Sequence, residues 1–333
     1  MKHKVIAVGV SLLIASSVLA QVKFSPDAEA DRIEYSDLAG KFGPVPTPKP
    51  GTKLGAIMKA LSNEYWQLMK QGYEKAAPKY GVTVEVQAPN NEADQLGQLS
   101  IMNTMIGKNY DAFLVSPQSD ANLVPGVAKA ITDGKVVVNV ADALVSEAPQ
   151  FVGHNQMRQG VSVAEYLIKK FPKGGSLAII EGQAGVYAAA QRTQGFKEAI
   201  AKSKFKLVAS VPADWDRQKA FTVASDLLRK TPNLTAIYCN NDTMALGALE
   251  AIKRAKRLGK TLVFGTDGIN AAYESIKKGE LTGTVDSFPM RTGEIGLEIA
   301  LRVLGGQKLP RVIATPQALV LKENVEEIEK QKQ

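Results

Sequence analysis

From Lys53 onward, short runs of β-branched and apolar residues alternate with longer stretches of helical periodicity, and few architectures satisfy that alternation. The strand candidates are 53–59, 82–87, 112–116, 136–140, 176–181, 206–211, 236–239, 261–265 and 282–286. Helical patterns fill 64–80, 94–107, 156–171, 188–203, 217–230, 243–257 and 291–304. Several strand runs, such as Val136–Val140, are almost wholly apolar, as expected where helices cover both faces of a sheet. Strand–helix alternation implies right-handed crossovers and therefore parallel, doubly wound α/β sheets. Nine strands could form one sheet, but the polar features fall into two sets, which predicts two lobes with a cleft between them.

At 333 residues the chain has room for two or three domains, and 45% hydrophobic residues are enough to fill real cores. A single cysteine excludes an internal disulfide, and two histidines leave little for zinc sites or imidazole catalysis. Cys239, inside the apolar run 236–239, reads as buried filler rather than a reactive thiol. No Gly-x-Gly-x-x-Gly follows the first strand and no Gly-x-x-x-x-Gly-Lys-Ser/Thr occurs, so nucleotide cofactors lack a phosphate cradle. No Gly-x-Ser-x-Gly elbow presents a serine either. We therefore expect no cofactor, no metal and no catalytic group.

Met1-Lys2-His3-Lys4 is a basic start, residues 5–18 are apolar, and Val18-Leu19-Ala20 offers small-residue cleavage chemistry. This reads as a secretory signal peptide at 1–20, cleaved near Ala20, and sends the chain to the periplasm; an uncleaved anchor is the alternative. No cysteine follows for lipid attachment. The formal charge of +8 loses Lys2 and Lys4 on cleavage, and the remaining surplus is scattered over helix faces without a basic-aromatic block, so no nucleic-acid partner is expected. Residues 21–52 form a Pro-rich N-terminal extension in which Pro44, Pro46, Pro48 and Pro50 favour an extended strap or linker.

In open α/β sheets, ligands gather outside the carboxyl ends of the strands. Those positions carry Asn63, Ser116, Asp142, Gln183, Asp214, Asn241, Asp267 and Asp286-Ser287. Each could equally be a helix cap. Tyr65-Trp66 and Asp214-Trp215-Asp216-Arg217 add flat aromatics beside carboxylates and Arg. That set suits a sugar, whose hydroxyls are gripped in pairs and whose C–H faces are covered by rings. Paired carboxylates also leave a glycosidase open.

With "LSNEYW", "GQAGVYAAAQRTQGF", "PADWDRQKAF", "CNNDTMALGALEAI", "VFGTDGINAAYESIKKGELTGTV" and "DSFP" in order, the chain resembles the periplasmic sugar-binding proteins of ABC importers, of the ribose-binding type. The resemblance runs from about Lys53 to Gln317. It implies two Rossmann-like lobes joined by three hinge crossings, the type I periplasmic binding protein architecture, closing like a Venus flytrap on a monosaccharide or sugar alcohol. It also implies a non-enzymatic monomer that hands its ligand to a membrane permease. The lobes it implies are 53–154 plus 288–316 and 155–287 plus 317–333. Carried over by position, Asn63, Asn241 and Asp267 bond hydroxyls and Arg192 forks onto ligand oxygens. Tyr65, Trp66 and Trp215 cover the ring faces. Ser116, Ala141-Asp142 and Ser287 depart from the ribose pattern, which points to another pentose, a hexose or a polyol, with Asp142 taking hydroxyls. A ligand sensor for a chemoreceptor or histidine kinase is the alternative role, and an exported sugar-active enzyme a third.

Overall fold

The structure, a computed structural model, describes residues 24–332; the candidate signal peptide and its cleavage point lie outside the described residues. The alternation predicts no element ahead of Lys53, yet Arg32–Glu34 form a strand, β1, and Tyr35–Phe42 a helix, α1. Part of the presumed linker thus belongs to the fold. A three-residue strand is too short to show a period, and β1 exists because it pairs with a partner distant in sequence. Leu38 of α1 is fully buried. The proline stretch that follows is held by Arg302 Nη1, which donates to the Gly43 carbonyl at 2.9 Å, and by Gln307 Nε2, which donates to that of Phe42 at 3.0 Å.

The first half continues with β2 (Lys53–Ile57), α2 (Glu64–Ala76), a 3-10 turn (Ala77–Tyr80), β3 (Thr83–Gln87) and α3 (Gln95–Ile106). β4 (Ala112–Val115), α4 (Val124–Thr132), β5 (Val136–Val140) and β6 (Gln150–Gly153) complete it. The second half runs through α5 (Gln156–Lys170), β7 (Gly175–Glu181), α6 (Tyr187–Ala201), β8 (Phe205–Pro212) and α7 (Arg217–Lys230). It then passes through β9 (Leu234–Cys239), α8 (Asp242–Arg254), β10 (Leu262–Asp267), α9 (Asn270–Lys277) and β11 (Gly283–Asp286). α10 (Pro289–Leu304) and β12 (Val312–Ala314) return to the first half, and β13 (Ala318–Leu321) and α11 (Val325–Lys330) to the second.

Two sheets result, in the orders β1-β12-β6-β5-β4-β2-β3 and β13-β11-β10-β9-β7-β8. This is the doubly wound, two-lobed α/β class that the alternation predicts. Every pairing is parallel except β11 with β13, where the last strand, entering from the hinge, runs back along the sheet edge. The chain crosses between the sheets three times, after Gly153, after Asp286 and after Ala314. Side chains tie these crossings together: Thr315 Oγ1 and His154 Nδ1 share a hydrogen bond of 2.7 Å, and Gln159 Nε2 donates to Ser287 Oγ at 2.8 Å. Burial, with Arg192 nearby, lowers the His154 pKa to about 3, so the imidazole is a neutral hinge element. The N-terminal segment also spans the lobes. Asp27 accepts the Gln156 and Met157 amides at 3.1 and 2.9 Å, and Ser25 Oγ bonds the Tyr187 hydroxyl at 2.9 Å.

One packing device matters for the site. A Cβ on Gly160 of α5 would lie 2.0 Å from the Arg192 carbonyl oxygen, and one on Gly195 of α6 would lie 2.1 Å from that of Met157. Only glycine at both positions lets α5 and α6 approach this closely, which brings the Gln156 and Gln159 side chains up to Arg192. Cys239 is fully buried in β9.

Candidate functional site

The carboxyl ends of strands from both sheets face each other across the cleft, and their loops and following helices supply nine side chains to one enclosed space. Asn63, Tyr65, Trp66, Glu92 and Asp142 come from the first lobe, and Arg192, Trp215, Asn241 and Asp267 from the second. The room left between them is about 10 Å³, on the scale of one water, so opposing groups touch each other directly. A wider groove of about 800 Å³, lined among others by Glu64, Gln183, Asp214 and Arg217, forms the mouth.

Arg192, 1% exposed, is the centre of this arrangement. Its Nε donates to Gln156 Oε1 at 2.9 Å and Gln159 Oε1 at 2.8 Å, and its Nη1 donates to the Asn240 carbonyl at 2.7 Å. Three neutral acceptors thus fix the fork while leaving its charge uncancelled. Across the cleft, Nη2 reaches Asp142 Oδ1 at 3.3 Å, and within its own lobe Nη1 stands 3.7 Å from Asp267 Oδ1. Asp142 also accepts Lys59 Nζ at 3.1 Å. Burial disfavours its ionised form, but Lys59 and Arg192 outweigh that and hold the Asp142 carboxyl below its usual range. Asp267 moves the opposite way: burial raises it well above the usual carboxylate range, and Arg192 offsets this only in part while Asp242 and Asp142 add repulsion. Three carboxylates, Glu92, Asp142 and Asp267, share two cations here, and the surplus negative charge is part of why the Glu92 carboxyl is also raised, burial being the main cause.

Lys59 Nζ lies 5.5 Å from the ring centres of both Trp66 and Trp215, placing one ammonium between the indoles of the two lobes. Trp66 meets Tyr65 edge-on with centroids 4.8 Å apart. The Trp215 ring lies against Gly182, where a Cβ would fall 2.0 Å from Cη2. The backbone is strained at these positions. Ala141, Asp214, Trp215 and Asp267 all have positive φ, at 61°, 54°, 64° and 138°, conformations that typically cost about 1–3 kcal/mol each and persist where surrounding structure enforces them. Tyr65 Oη and Trp215 Nε1 are buried without a hydrogen-bond partner among the described residues, leaving polar atoms on two lining aromatics for a ligand to satisfy.

Asn63 and Asn241 both cap their helices and line the enclosed space. Asn63 Oδ1 accepts the Tyr65 amide at 3.1 Å while its Nδ2 donates to Glu92 at 2.8 Å, and Asn241 Oδ1 accepts the Met244 amide at 2.9 Å. Two sequence-predicted ligand residues lie elsewhere. Ser116 donates its hydroxyl to the Val140 carbonyl at 2.9 Å, so its short side chain is occupied within the sheet. Ser287 is fully buried at the hinge and accepts from Gln159, acting one residue behind Arg192. Asp214 pairs with Lys219 at 2.9 Å on the rim, and Asp286 accepts the Tyr273 hydroxyl at 2.6 Å away from the cavity.

Sequence reasoning passes over Lys59, Glu92, Gln156 and Gln159. The signal for Lys59 is a lone charge in the apolar stretch Ile57-Met58-Lys59-Ala60-Leu61, directly after a strand. Glu92 follows β3 within Asn90-Asn91-Glu92, at the same end of the sheet. The glutamines occupy the buried face of α5, where polar residues call for a partner. Among the described residues no cluster of three metal-ligating side chains forms. A closed, charged, aromatic-walled space is suited to holding a small polar molecule.

Residues 54–308 match the family described as "Periplasmic binding protein domain". The chain is 39% identical to the D-allose-binding periplasmic protein of Escherichia coli over 272 residues, 79% of this chain and 86% of that one. It is 34% identical to the D-ribose/D-allose-binding protein of Pseudomonas aeruginosa over 281 residues, 80% of this chain and 88% of that one. The crystal structure of an ABC transporter periplasmic solute-binding protein from Actinobacillus succinogenes with bound D-allose superposes with a TM-score of 0.79 at 32% identity, covering 84% of this chain and all of that one.

Proposed function

The chain belongs to the periplasmic binding protein domain family, and from that premise we propose that it is the sugar receptor of an ABC importer whose ligand is an aldohexose of the D-allose type. As a periplasmic sugar-binding protein it captures a monosaccharide in the cleft between its lobes for delivery to an ABC importer. In the finer reading the signal peptide is removed near Ala20 and the mature protein works as a monomer, since one chain supplies both walls of the cavity. One lobe then comprises 53–154 plus 288–316, with β1 and α1 attached to it, and the other 155–287 plus 317–333. It transports without chemistry on the sugar and passes its closed form to a membrane permease.

The observation that carries this reading is the Arg192 fork, fixed by three neutral acceptors and facing Asp142 and Asp267. A sugar entering as the lobes part exchanges carboxylate–guanidinium contacts for hydroxyls that bridge the same charges. Trp66 and Trp215 cover its C–H faces, and Asn63, Glu92, Asn241 and Lys59 supply further donors and acceptors. Charge-assisted hydrogen bonds contribute roughly 1.5–3 kcal/mol each, so three of them approach the about 8 kcal/mol that micromolar affinity requires. Two features favour a hexose over ribose: the replacement of the ribose-type Asp-Arg pair by Ala141-Asp142, and the likeness to relatives named for D-allose. Calorimetric titration with D-allose, D-ribose and myo-inositol tests this. Saturable binding of D-allose with the highest affinity and no sugar turnover supports the reading. Stronger ribose binding overturns the ligand class, and conversion of the sugar overturns the receptor role.

A further inference from the structure

In the second lobe, α5, α7 and α8 carry side-chain caps of their own from Asn155, Asp216 and Asn241. α6 and α9 do not: their cap positions are Val186 and Ile269. Carboxylates from the first lobe bond to the amides at these two helix starts. Asp120 Oδ1 accepts the Tyr187 amide at 3.2 Å. Glu64 Oε1 accepts the Asn270 amide at 2.9 Å, and its Oε2 stands 3.4 Å from the Ala271 amide. Glu64 opens α2 directly after Asn63, which lines the cavity, and it also lines the mouth groove. The bond therefore crosses the part of the interface that must separate to admit a ligand.

We propose that Glu64 is the closure latch of the cleft, completing the N-terminus of α9 only when the lobes meet and so setting how long a captured sugar stays. With the lobes apart, the carboxylate and the α9 amides are each solvated. Closure exchanges those water contacts for charge-assisted bonds at the positive end of a helix dipole. The contact does not touch the sugar and acts through the open–closed equilibrium, which makes Glu64 a positioning residue. This rests on the receptor reading above.

The test uses D-allose with the full mature chain, in wild-type, Glu64→Ala and Glu64→Gln forms. Glu64→Ala should raise the dissociation rate and Kd together by roughly fivefold, as expected for one lost helix cap, with association unchanged. Glu64→Gln, which keeps one acceptor oxygen, should fall between. Amide hydrogen exchange at Asn270 and Ala271 should show sugar-dependent protection in the wild type and lose it in Glu64→Ala, while the melting temperature without sugar stays the same. Unchanged dissociation in Glu64→Ala overturns the latch. An equal fall in melting temperature with and without sugar also overturns it, because Glu64 would then serve only its own helix. If the wild type does not bind D-allose, the ligand assignment fails, and the latch is judged by exchange alone: protection at the two amides lower in Glu64→Ala supports it, and equal protection overturns it.

Discussion

On the first-lobe wall of the cleft, Lys59 is neutralised at 3.1 Å by Asp142, whereas on the second-lobe wall Arg192 is gripped by two glutamines and a backbone carbonyl that leave its charge intact. The carboxyl paired with Lys59 and the one beside Arg192 in its own lobe titrate in opposite senses, although burial raises Glu92 on the first-lobe wall as well. Lys59 and Arg192 hold Asp142 below the ordinary carboxylate range against its burial, while burial pushes Asp267 beside Arg192 above it and holds Asp242 and Asp286 behind at about 6. One wall gains stability from its charges. The other carries charges that the fold by itself would rather lose, which is the usual condition of groups kept for a ligand.

The largest expected effect tests the first wall. Asp142→Ala leaves the Lys59 ammonium, 1% exposed, without its carboxylate partner and should destabilise the ligand-free protein by about 3 kcal/mol, the scale of breaking a buried ion pair. Chemical denaturation reads this directly, and a loss under about 1 kcal/mol would remove the contrast between the walls. Asp267→Ala should instead weaken sugar binding about a hundredfold, from roughly 1.5–3 kcal/mol of charged hydrogen bonds, while the ligand-free melting temperature holds or rises. Calorimetry and thermal shift together check it; retained affinity would remove Asp267 from the site.

pH separates the walls next. An acid whose pKa is raised on folding binds protons more tightly in the native state, so stability falls as pH rises through the interval between its unfolded and folded values. For Asp242 and Asp286 that interval runs from 3.8 to about 6. Asp142, with a depressed pKa, supports stability above its unfolded value and loses that support only as pH falls through its folded value. His154, lowered from 6.5 to about 3, acts in the opposite sense over part of this window, but Asp242, Asp267 and Asp286 together outweigh one imidazole, so the ligand-free protein should melt at a higher temperature near pH 5 than near pH 7, and a melting temperature climbing across that window would contradict the assignment. The smallest effect is expected at the hinge. Ser287→Ala removes the acceptor that steadies Gln159 behind Arg192 and should weaken binding by about fivefold, the scale of one neutral hydrogen bond, with little change in melting temperature.

The two-lobed α/β architecture could be read from the sequence because nine strands announce themselves by length and composition. β1, β6, β12 and β13 have three or four residues each and, unlike the equally short β4 and β11, are not set between two helices, so the strand–helix alternation does not mark them. At the site, Asn63, Asn241 and Asp267 were legible by their position just after strands, although Asn63 and Asn241 also cap helices and Asp214 and Asp286 at similar positions face elsewhere. Ser116 and Ser287 were misplaced because a serine hydroxyl is satisfied by whichever carbonyl or amide stands nearest, and sequence does not say which. Gln156 and Gln159 were invisible for the converse reason: their role comes from the close approach of α5 and α6, a tertiary fact written only in two glycines.

The short strand β1 has a consequence beyond the cleft. It lies outside the span that matches the family, yet it pairs along its whole length with β12 and ends one side of the seven-stranded sheet. An uncovered strand of this kind offers a row of amides and carbonyls to any passing chain. Removing residues 24–52 would only move that open edge from β1 to β12, but it would also strip the buried Leu38 of α1 from the first lobe, so the leading segment completes the core of a lobe that supplies part of the ligand pocket.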